Sequence, residues 1–265
     1  MGKSRKKLSF IVTGGSGFVG KSLIEKLSAQ SKVIYCLDKK FNKNYEFPKN
    51  VKKIKVDLKN YKDLKKKTIN IKKIDIVIHT AAKQPFSKEN KLQEYLNTNV
   101  IGTGNLLNIC EEKKFLKIIA CSSFSVYQNE NGPINESGKL NPRNSYGLSK
   151  KLSENILEYY SNKFKINTII LRFDGIFGHN QNLPGFIEMC MGQVMAGEKV
   201  LLFNNGKLKR DYLYIDDAVK SIYLSLDKIK KSRFEILNIG GGKSTKAIDI
   251  FKKIKIICNT ESKAI

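Results

Sequence analysis

The chain has 265 residues and a formal net charge of +25, from 49 lysines and arginines against 24 acids; that length buries one substantial α/β core with an appendage and is short for two full domains. The charge does not mark a nucleic-acid binder, because only five of the basic residues are arginine and the lysines are scattered, with no arginine stripe interleaved with aromatics. Five widely spaced cysteines (Cys36, Cys110, Cys121, Cys190, Cys258) without a CxxC or Cys/His pattern fit core positions in a reduced cytoplasm, and no targeting or membrane segment is visible.

Residues 8–13 read as a short apolar strand that runs straight into Thr13-Gly14-Gly15-Ser16-Gly17-Phe18-Val19-Gly20 and then a helical pattern. Glycines between a strand and a helix allow a tight turn and close approach of backbone to a pyrophosphate, with the free N–H groups of the helix N-terminus facing the anion. Residues 32–37 form a second strand that ends on Asp38, about twenty residues on, where a carboxylate accepts hydrogen bonds from the adenosine ribose hydroxyls. That charge repels a 2′-phosphate and favours NAD over NADP, although Lys39 and Lys40 offset the repulsion. Residues 51–56 are a third strand closed by Asp57-Leu58, placed to reach the adenine amino group or to serve as a turn. Residues 74–79 make a fourth strand ending on His79, read as a packed imidazole, before the small residues Thr80-Ala81-Ala82 that let a cofactor lie on the backbone.

Residues 116–122 and 167–172 are the fifth and sixth strands, with helical periodicity at Leu106, Leu107 and Cys110 before the fifth. Alternation of this kind predicts a Rossmann-type doubly wound parallel sheet, with residues 1–174 as the dinucleotide-binding domain. After residue 175 the pattern loosens around Asn204-Asn205-Gly206 and Gly240-Gly241-Gly242, which predicts a smaller substrate-binding lobe over 175–265, interleaved with the first domain.

Ser123 ends the fifth strand, and Tyr146 and Lys150 stand four apart on a helical stretch, so both side chains leave one face. A phenol titrates near ~10 and is a poor base at neutral pH. A neighbouring ammonium and a cationic nicotinamide favour the phenolate, so Lys150 is expected to lower the Tyr146 pKa while also holding the nicotinamide ribose. Ser123 can orient a substrate hydroxyl whose proton Tyr146 removes as hydride leaves carbon.

This set resembles the extended short-chain dehydrogenase/reductase superfamily, in its nucleotide-sugar epimerase/dehydratase branch, over roughly residues 8–250. The resemblance includes Asn99-Val100-Ile101-Gly102-Thr103, Ser122-Ser123-Phe124-Ser125-Val126-Tyr127, Leu171-Arg172-Phe173-x-Gly175-Ile176-Phe177-Gly178 and Arg210-Asp211-Tyr212-Leu213-Tyr214-Ile215-Asp216-Asp217-Ala218. It implies a catalytic triad of Ser123, Tyr146 and Lys150. It also implies NAD contacts from Gly14, Gly17, Phe18, Val19, Gly20, Asp38, Asp57, Leu58, Ala81, Ala82 and Thr98, with Tyr146 and Lys150. Arg210 would hold the diphosphate of a nucleotide sugar, the alternative being an ion pair with Asp211 or Asp216. Asn99 would brace the site rather than act in it. A homodimer packed through residues 99–111 and 146–164 is the implied assembly.

Dehydratases of this branch carry Asp-Glu directly after the catalytic Ser/Thr, whereas this chain has Phe124-Ser125, which cannot protonate a leaving hydroxyl or abstract a C5 proton. Gly175 replaces a substrate-contacting Asn, and Gln128 a Gly. Relatives continue beyond the segment equivalent to 238–242, so exposed apolar surface is expected on the second lobe. The leading expectation is epimerisation of a nucleotide sugar through a transient 4-keto intermediate on tightly held NAD. The alternatives are a nucleotide-sugar 4-ketoreductase using NAD(P)H and a non-catalytic dinucleotide- or RNA-binding relative.

Overall fold

A computed structural model describes residues 7–85, 91–128, 133–181 and 185–265. The amino half alternates strands and helices: β1 (Leu8–Thr13), α1 (Phe18–Ser28), β2 (Ser31–Asp38), β3 (Val51–Lys55), α2 (Tyr61–Thr68), β4 (Ile76–His79), α3 (Leu92–Tyr95), α4 (Gly102–Glu112), β5 (Lys117–Ser123), α5 (Ser145–Phe164) and β6 (Asn167–Phe173). One π-helical turn, Leu96–Ile101, joins α3 to α4. The carboxyl half adds β7 (Ile176–Phe177), α6 (Phe186–Met195), β8 (Lys209–Asp211), β9 (Leu213–Tyr214), α7 (Ile215–Lys228), β10 (Phe234–Ile239), β11 (Ser244–Lys246) and α8 (Ala247–Cys258).

Seven strands form one sheet in the order β10-β6-β5-β4-β1-β2-β3, every neighbouring pair parallel. Side chains alternate between its faces as a period of two requires. Phe10 and Val12 of β1 pack with Leu23, Ile24 and Leu27 of α1 and with Ile215, Val219 and Ile222 of α7. Ile11 points the other way, to Leu64 of α2, Leu106 and Leu107 of α4 and Leu157 of α5. Each such fully buried aliphatic side chain contributes about 1.5–3 kcal/mol, so these two layers are the main source of the fold's stability.

The strand predictions hold to within two residues. The fourth starts later than its pattern predicts, at Ile76, because the Asp75 carboxylate accepts the Ser9 N–H at 2.8 Å and caps the ladder there. Beyond residue 175 the chain does not stay apart from the sheet. Helix α7 returns to cover α1, and β10 pairs with β6 from Phe234↔Thr168 to Ile239↔Phe173. A third, smaller core (Cys190, Val194, Val200, Leu202, Phe251 and Ile254) joins α6 to α8. Leu201, Phe203, Ile256 and Ile257 on that lobe are largely exposed. No helix among the described residues is long and apolar enough to cross a membrane.

The order of strands reverses between β1 and β4, and a crevice at the carboxyl ends of parallel strands opens at such a switch point. The glycine turn, Asp38, Ser123, Tyr146, Lys150 and Arg210 all meet that crevice.

Candidate active site

A cleft of about 690 Å³ runs along the carboxyl ends of the strands, and all fifteen expected site residues line it. Its far end is built by the glycine turn. Gly14 has φ +68°, and a Cβ there would stand 2.6 Å from the Ala81 Cα, so the turn and the Ala81-Ala82 segment approach as closely as they do only because both are small. At Gly17 a Cβ would meet only the Gly14 oxygen, at 3.1 Å, so its bare face is the one turned to the cleft. Gly17 is also the N-cap of α1, with no side-chain cap and no acid in the first turn. The N–H groups of Phe18, Val19 and Gly20 therefore lack intrahelical acceptors and carry the positive end of the helix dipole.

Asp38 stands across from this turn, its Oδ2 accepting the Ser16 N–H at 3.0 Å and its Oδ1 the Lys40 N–H at 3.3 Å. The Ser16 hydroxyl beside it is buried and has no hydrogen-bond partner among the described residues. A turn of free N–H groups, an oriented carboxylate and an unmatched hydroxyl fit the pyrophosphate and ribose of a dinucleotide. Lys39 and Lys40 line the cleft next to Asp38. Asp57 lines it too, but is already engaged in a turn, with the Lys59 N–H on Oδ1 at 3.0 Å and the Lys59 ammonium 3.5 Å from Oδ2. Leu58, Ala82 and Thr98 complete this wall.

The other end holds Ser123, Tyr146 and Lys150. Ser123 ends β5 in extended backbone; its Oγ accepts the Ser125 N–H at 3.1 Å and donates to the Ser125 Oγ at 3.2 Å. Asn144 starts α5 by accepting the Gly147 N–H on its side chain at 2.7 Å. Gly147 is pressed so close to the Phe124–Val126 turn that a Cβ would lie 2.1 Å from the Ser125 carbonyl oxygen. The turn bearing Ser123 and the helix bearing Tyr146 are thereby clamped together. Lys150, one turn on, is only 6% exposed, and its Nζ donates to the Cys121 carbonyl at 2.5 Å. Asn99 sits in the π-helical turn, a feature frequent at functional sites. Its Nδ2 donates to Ser149 Oγ at 2.9 Å while its Oδ1 accepts the Lys83 N–H at 2.7 Å. It ties the loop after β4 to α5 and touches no cleft atom itself.

The electrostatics depart from the sequence expectation. Burial pushes the Tyr146 phenol up to about 12, hydrogen bonds with the Ser123 and Gln84 side chains pulling the other way. Lys150 does not lower it: its own pKa is brought down by burial, and its ammonium is turned onto the Cys121 carbonyl. Excluding water from the phenolate outweighs the stabilisation its neighbours provide.

His79 lies beneath, bonded through Nδ1 to Thr13 Oγ1 at 2.7 Å and through Nε2 to Thr103 Oγ1 at 2.9 Å. It joins β1, β4 and α4, as a packed imidazole should. Burial, then the Lys150 charge, lower its pKa from 6.5 to about 3. The folded imidazole stays neutral where the unfolded one protonates, so its contribution is complete above pH 6.5 and is lost as pH falls from there toward 3. Unfolding titrations should show about 1 kcal/mol lost between pH 6.5 and 5.5, and His79→Asn should remove that part of the slope.

Arg210 reaches the cleft with a side chain 61% exposed, and its partner is Asp174, Nη1 to Oδ1 at 3.1 Å. Neither acid considered from the sequence holds it. Asp211 instead accepts the N–H groups of Gly242 and Lys243 at 3.1 and 3.2 Å, and Asp216 opens α7. Sequence reasoning missed Asp174 and Gln84. Asp174 falls at the one position of its motif to which the resemblance assigns no residue, and Gln84 lies two residues past the Ala81-Ala82 pair, but neither spacing tells which side chain each meets.

Comparison with known proteins agrees with this architecture. The family model described as the NAD dependent epimerase/dehydratase family matches residues 10–240. A putative UDP-glucose 4-epimerase of Methanocaldococcus jannaschii is 33% identical, over 92% of this chain and 81% of its own. A dTDP-D-glucose 4,6-dehydratase of Dictyostelium discoideum is 31% identical over 92% of this chain and 61% of its own. Among solved structures, the UDP-glucuronic acid 4-epimerase of Bacillus cereus, in complex with UDP-glucuronic acid and NAD, superposes with a TM-score of 0.86 at 26% identity, over 97% of this chain and 85% of that one. The glycine turn at the switch point, the seven-stranded parallel sheet and these matches lead to one assignment: the chain belongs to the NAD dependent epimerase/dehydratase family.

Proposed function

We propose that this protein epimerises a nucleotide sugar at C4 on tightly held NAD, with Tyr146 as the acid/base. The observation that carries the reading is the convergence of Ser123, Tyr146, Lys150 and the Asp38 turn on one cleft in a chain 33% identical to a putative UDP-glucose 4-epimerase. The similarity to a dehydratase is countered by Phe124-Ser125 beside Ser123, which offer no acid/base pair to expel a hydroxyl.

Each residue has a defined task. The Asp38 carboxylate, fixed by two backbone N–H groups, receives the adenosine ribose, and the free N–H groups of α1 receive the pyrophosphate. Bound NAD supplies the acceptor for hydride from C4 and its return to either face. Ser123 orients the C4 hydroxyl toward Tyr146, which takes its proton as the C4–H bond breaks and gives it back after the keto sugar has turned over. Lys150 holds the nicotinamide ribose. Arg210 takes the diphosphate through a charge-assisted, forked contact. UDP is the first nucleoside diphosphate to test, because the Methanocaldococcus and Bacillus cereus 4-epimerases are named for UDP sugars, and dTDP, from the name of the dehydratase, is the second. The second lobe, residues 175–265, is the substrate-covering part in this reading. The helices around residues 99–111 and 146–164 present exposed Ile101, Leu148 and Tyr159, suited to pairing two copies. Five free cysteines are in keeping with the reduced cytoplasm.

A second reading, a 4-ketoreductase using exchangeable NAD(P)H, draws on Lys39 and Lys40 at the cleft mouth. Denaturing the purified protein and identifying the released dinucleotide by mass separates the two. Stoichiometric NAD or NADH, a dimer by sedimentation-velocity ultracentrifugation, and interconversion of UDP-glucose with UDP-galactose or of their uronic acids without added cofactor are expected. A cofactor-free preparation that consumes NADPH with a 4-keto sugar would replace epimerisation by reduction.

A further inference from the structure

We propose that Asp174 positions Arg210 for the diphosphate, so that the end of β6 and the β8 segment bind substrate as one unit; this rests on the reading of Arg210 given above. Strand β8 is three residues long and, among the described residues, is paired only with β11, in antiparallel register from Ser244↔Asp211 to Lys246↔Lys209. A mostly exposed arginine on so short a hairpin would lose much rotamer freedom on meeting a ligand. Asp174 limits that loss. Its side chain is only 13% exposed at the carboxyl end of β6. Oδ1 accepts the Gly175 N–H at 3.0 Å and Arg210 Nη1 at 3.1 Å, while Oδ2 accepts the Asp211 N–H at 3.2 Å. One carboxylate thus holds the strand that carries Arg210 and the guanidinium itself.

The brace continues on the far side. The Asp211 carboxylate takes the N–H groups of Gly242 and Lys243, and Gly240 has no Cβ to collide with it, since one would lie 2.2 Å from Oδ2. Between the two acids, Tyr212 lines the cleft and stacks on Phe186 of α6 with ring centroids 6.5 Å apart. A guanidinium has five N–H donors, and the hydrogen bond from Nη1 to Asp174 leaves others for a phosphate.

Asp174 acts on affinity in two opposing ways. Its charge repels a diphosphate, and its hold on Arg210 preorganises the contact. Two backbone N–H groups already share the carboxylate's charge, so preorganisation prevails and removing Asp174 weakens binding.

The test is a double-mutant cycle on the NAD-loaded protein, titrated calorimetrically with UDP, dTDP, GDP, CDP and ADP, the tightest being carried through the variants. Arg210→Ala is expected to weaken it about 10- to 100-fold, the range for a charge-assisted contact. Asp174→Ala should weaken it about 5- to 20-fold in the native background and less than about 2-fold on top of Arg210→Ala, the signature of a residue acting through its partner. Asp174→Asn, which retains an oxygen for Arg210 and Gly175, should fall between; it carries the same cycle if the alanine variant does not fold. In steady-state kinetics the loss should appear chiefly in KM. Equal losses in both backgrounds would mean that Asp174 merely builds the hairpin, and unchanged or tighter binding would mean that repulsion prevails; either overturns the proposal. If Arg210→Ala binds like the native protein, or none of the diphosphates binds, the reading of Arg210 fails first, and the role of Asp174 with it.

Discussion

Tyr146→Phe should lower turnover about 10²- to 10⁴-fold, the range for loss of a positioned acid/base, while the purified variant retains its full complement of dinucleotide. The substitution is conservative in every respect except the proton. Tyr146 is buried and packs edge-to-face on Tyr95 with centroids 6.1 Å apart, a contact that phenylalanine keeps. What is lost is the hydroxyl bonded to the Ser123 and Gln84 side chains. Because burial holds the phenol above its usual range, the phenolate is the minor form at neutral pH and its share grows as pH rises. Where the oxidative step limits the rate, native turnover should therefore climb with pH, and the residual activity of the variant should not. Turnover within a factor of a few of the native enzyme would remove Tyr146 from the mechanism, whatever its place in the cleft.

Glu154→Ala should cost about 3–5 kcal/mol of folding stability, measured by urea unfolding, because it leaves a buried guanidinium without its counter-charge. Arg172 is 1% exposed and meets Glu154 twice, Nη2 to Oε2 at 2.7 Å and Nε to Oε1 at 3.1 Å. The Ser122 hydroxyl donates to the same carboxylate. On the other side Arg172 Nη1 donates to the Tyr127 hydroxyl at 2.6 Å and the Glu136 carbonyl at 3.2 Å, and Tyr127 passes a hydrogen bond to Asn238 Oδ1 at 2.8 Å. This chain of contacts crosses from α5 through β6 to β10, directly beneath the strand end that carries Ser123. Replacing both charges together, as Glu154→Leu with Arg172→Met, should recover much of the loss, since a well-packed apolar pair replaces a buried ion pair at little cost. A single-variant loss below about 1 kcal/mol would show that water or a local shift neutralises the arginine.

How much of this could be read from residue order depends on how local the physics is. The six strands ahead of residue 175 follow from apolar periodicity and their glycine or acidic ends, and β3 shows its edge position in the lysines Lys52, Lys53 and Lys55. The glycine turn is legible because a left-handed residue and a bare helix N-terminus are written in consecutive positions. Tyr146 and Lys150 share a face because a helix repeats every 3.6 residues. Beyond those short ranges the reading loses its grip. The loosened pattern after residue 175 suggested a lobe interleaved with the first domain but not that α7 and β10 are the elements that return to the sheet, since pairing between residues more than sixty apart leaves no period behind.

The state of the phenol could not be foreseen for a related reason. Spacing brings Lys150 near Tyr146, but the desolvation that dominates the pKa is a property of everything packed around both, and the Cys121 carbonyl that engages the ammonium comes from β5 rather than from their own helix. The same holds for Arg210. Charge and motif pointed to its contact with a phosphate, yet its resting partner is Asp174, 36 positions away, not the acids adjacent in sequence. Local order in the chain sets which elements form and which chemical groups end each strand; long-range packing sets which of those groups meet, how dry they are, and therefore what protonation state and orientation they hold, because dielectric environment and hydrogen-bond partnership are collective properties of the folded chain.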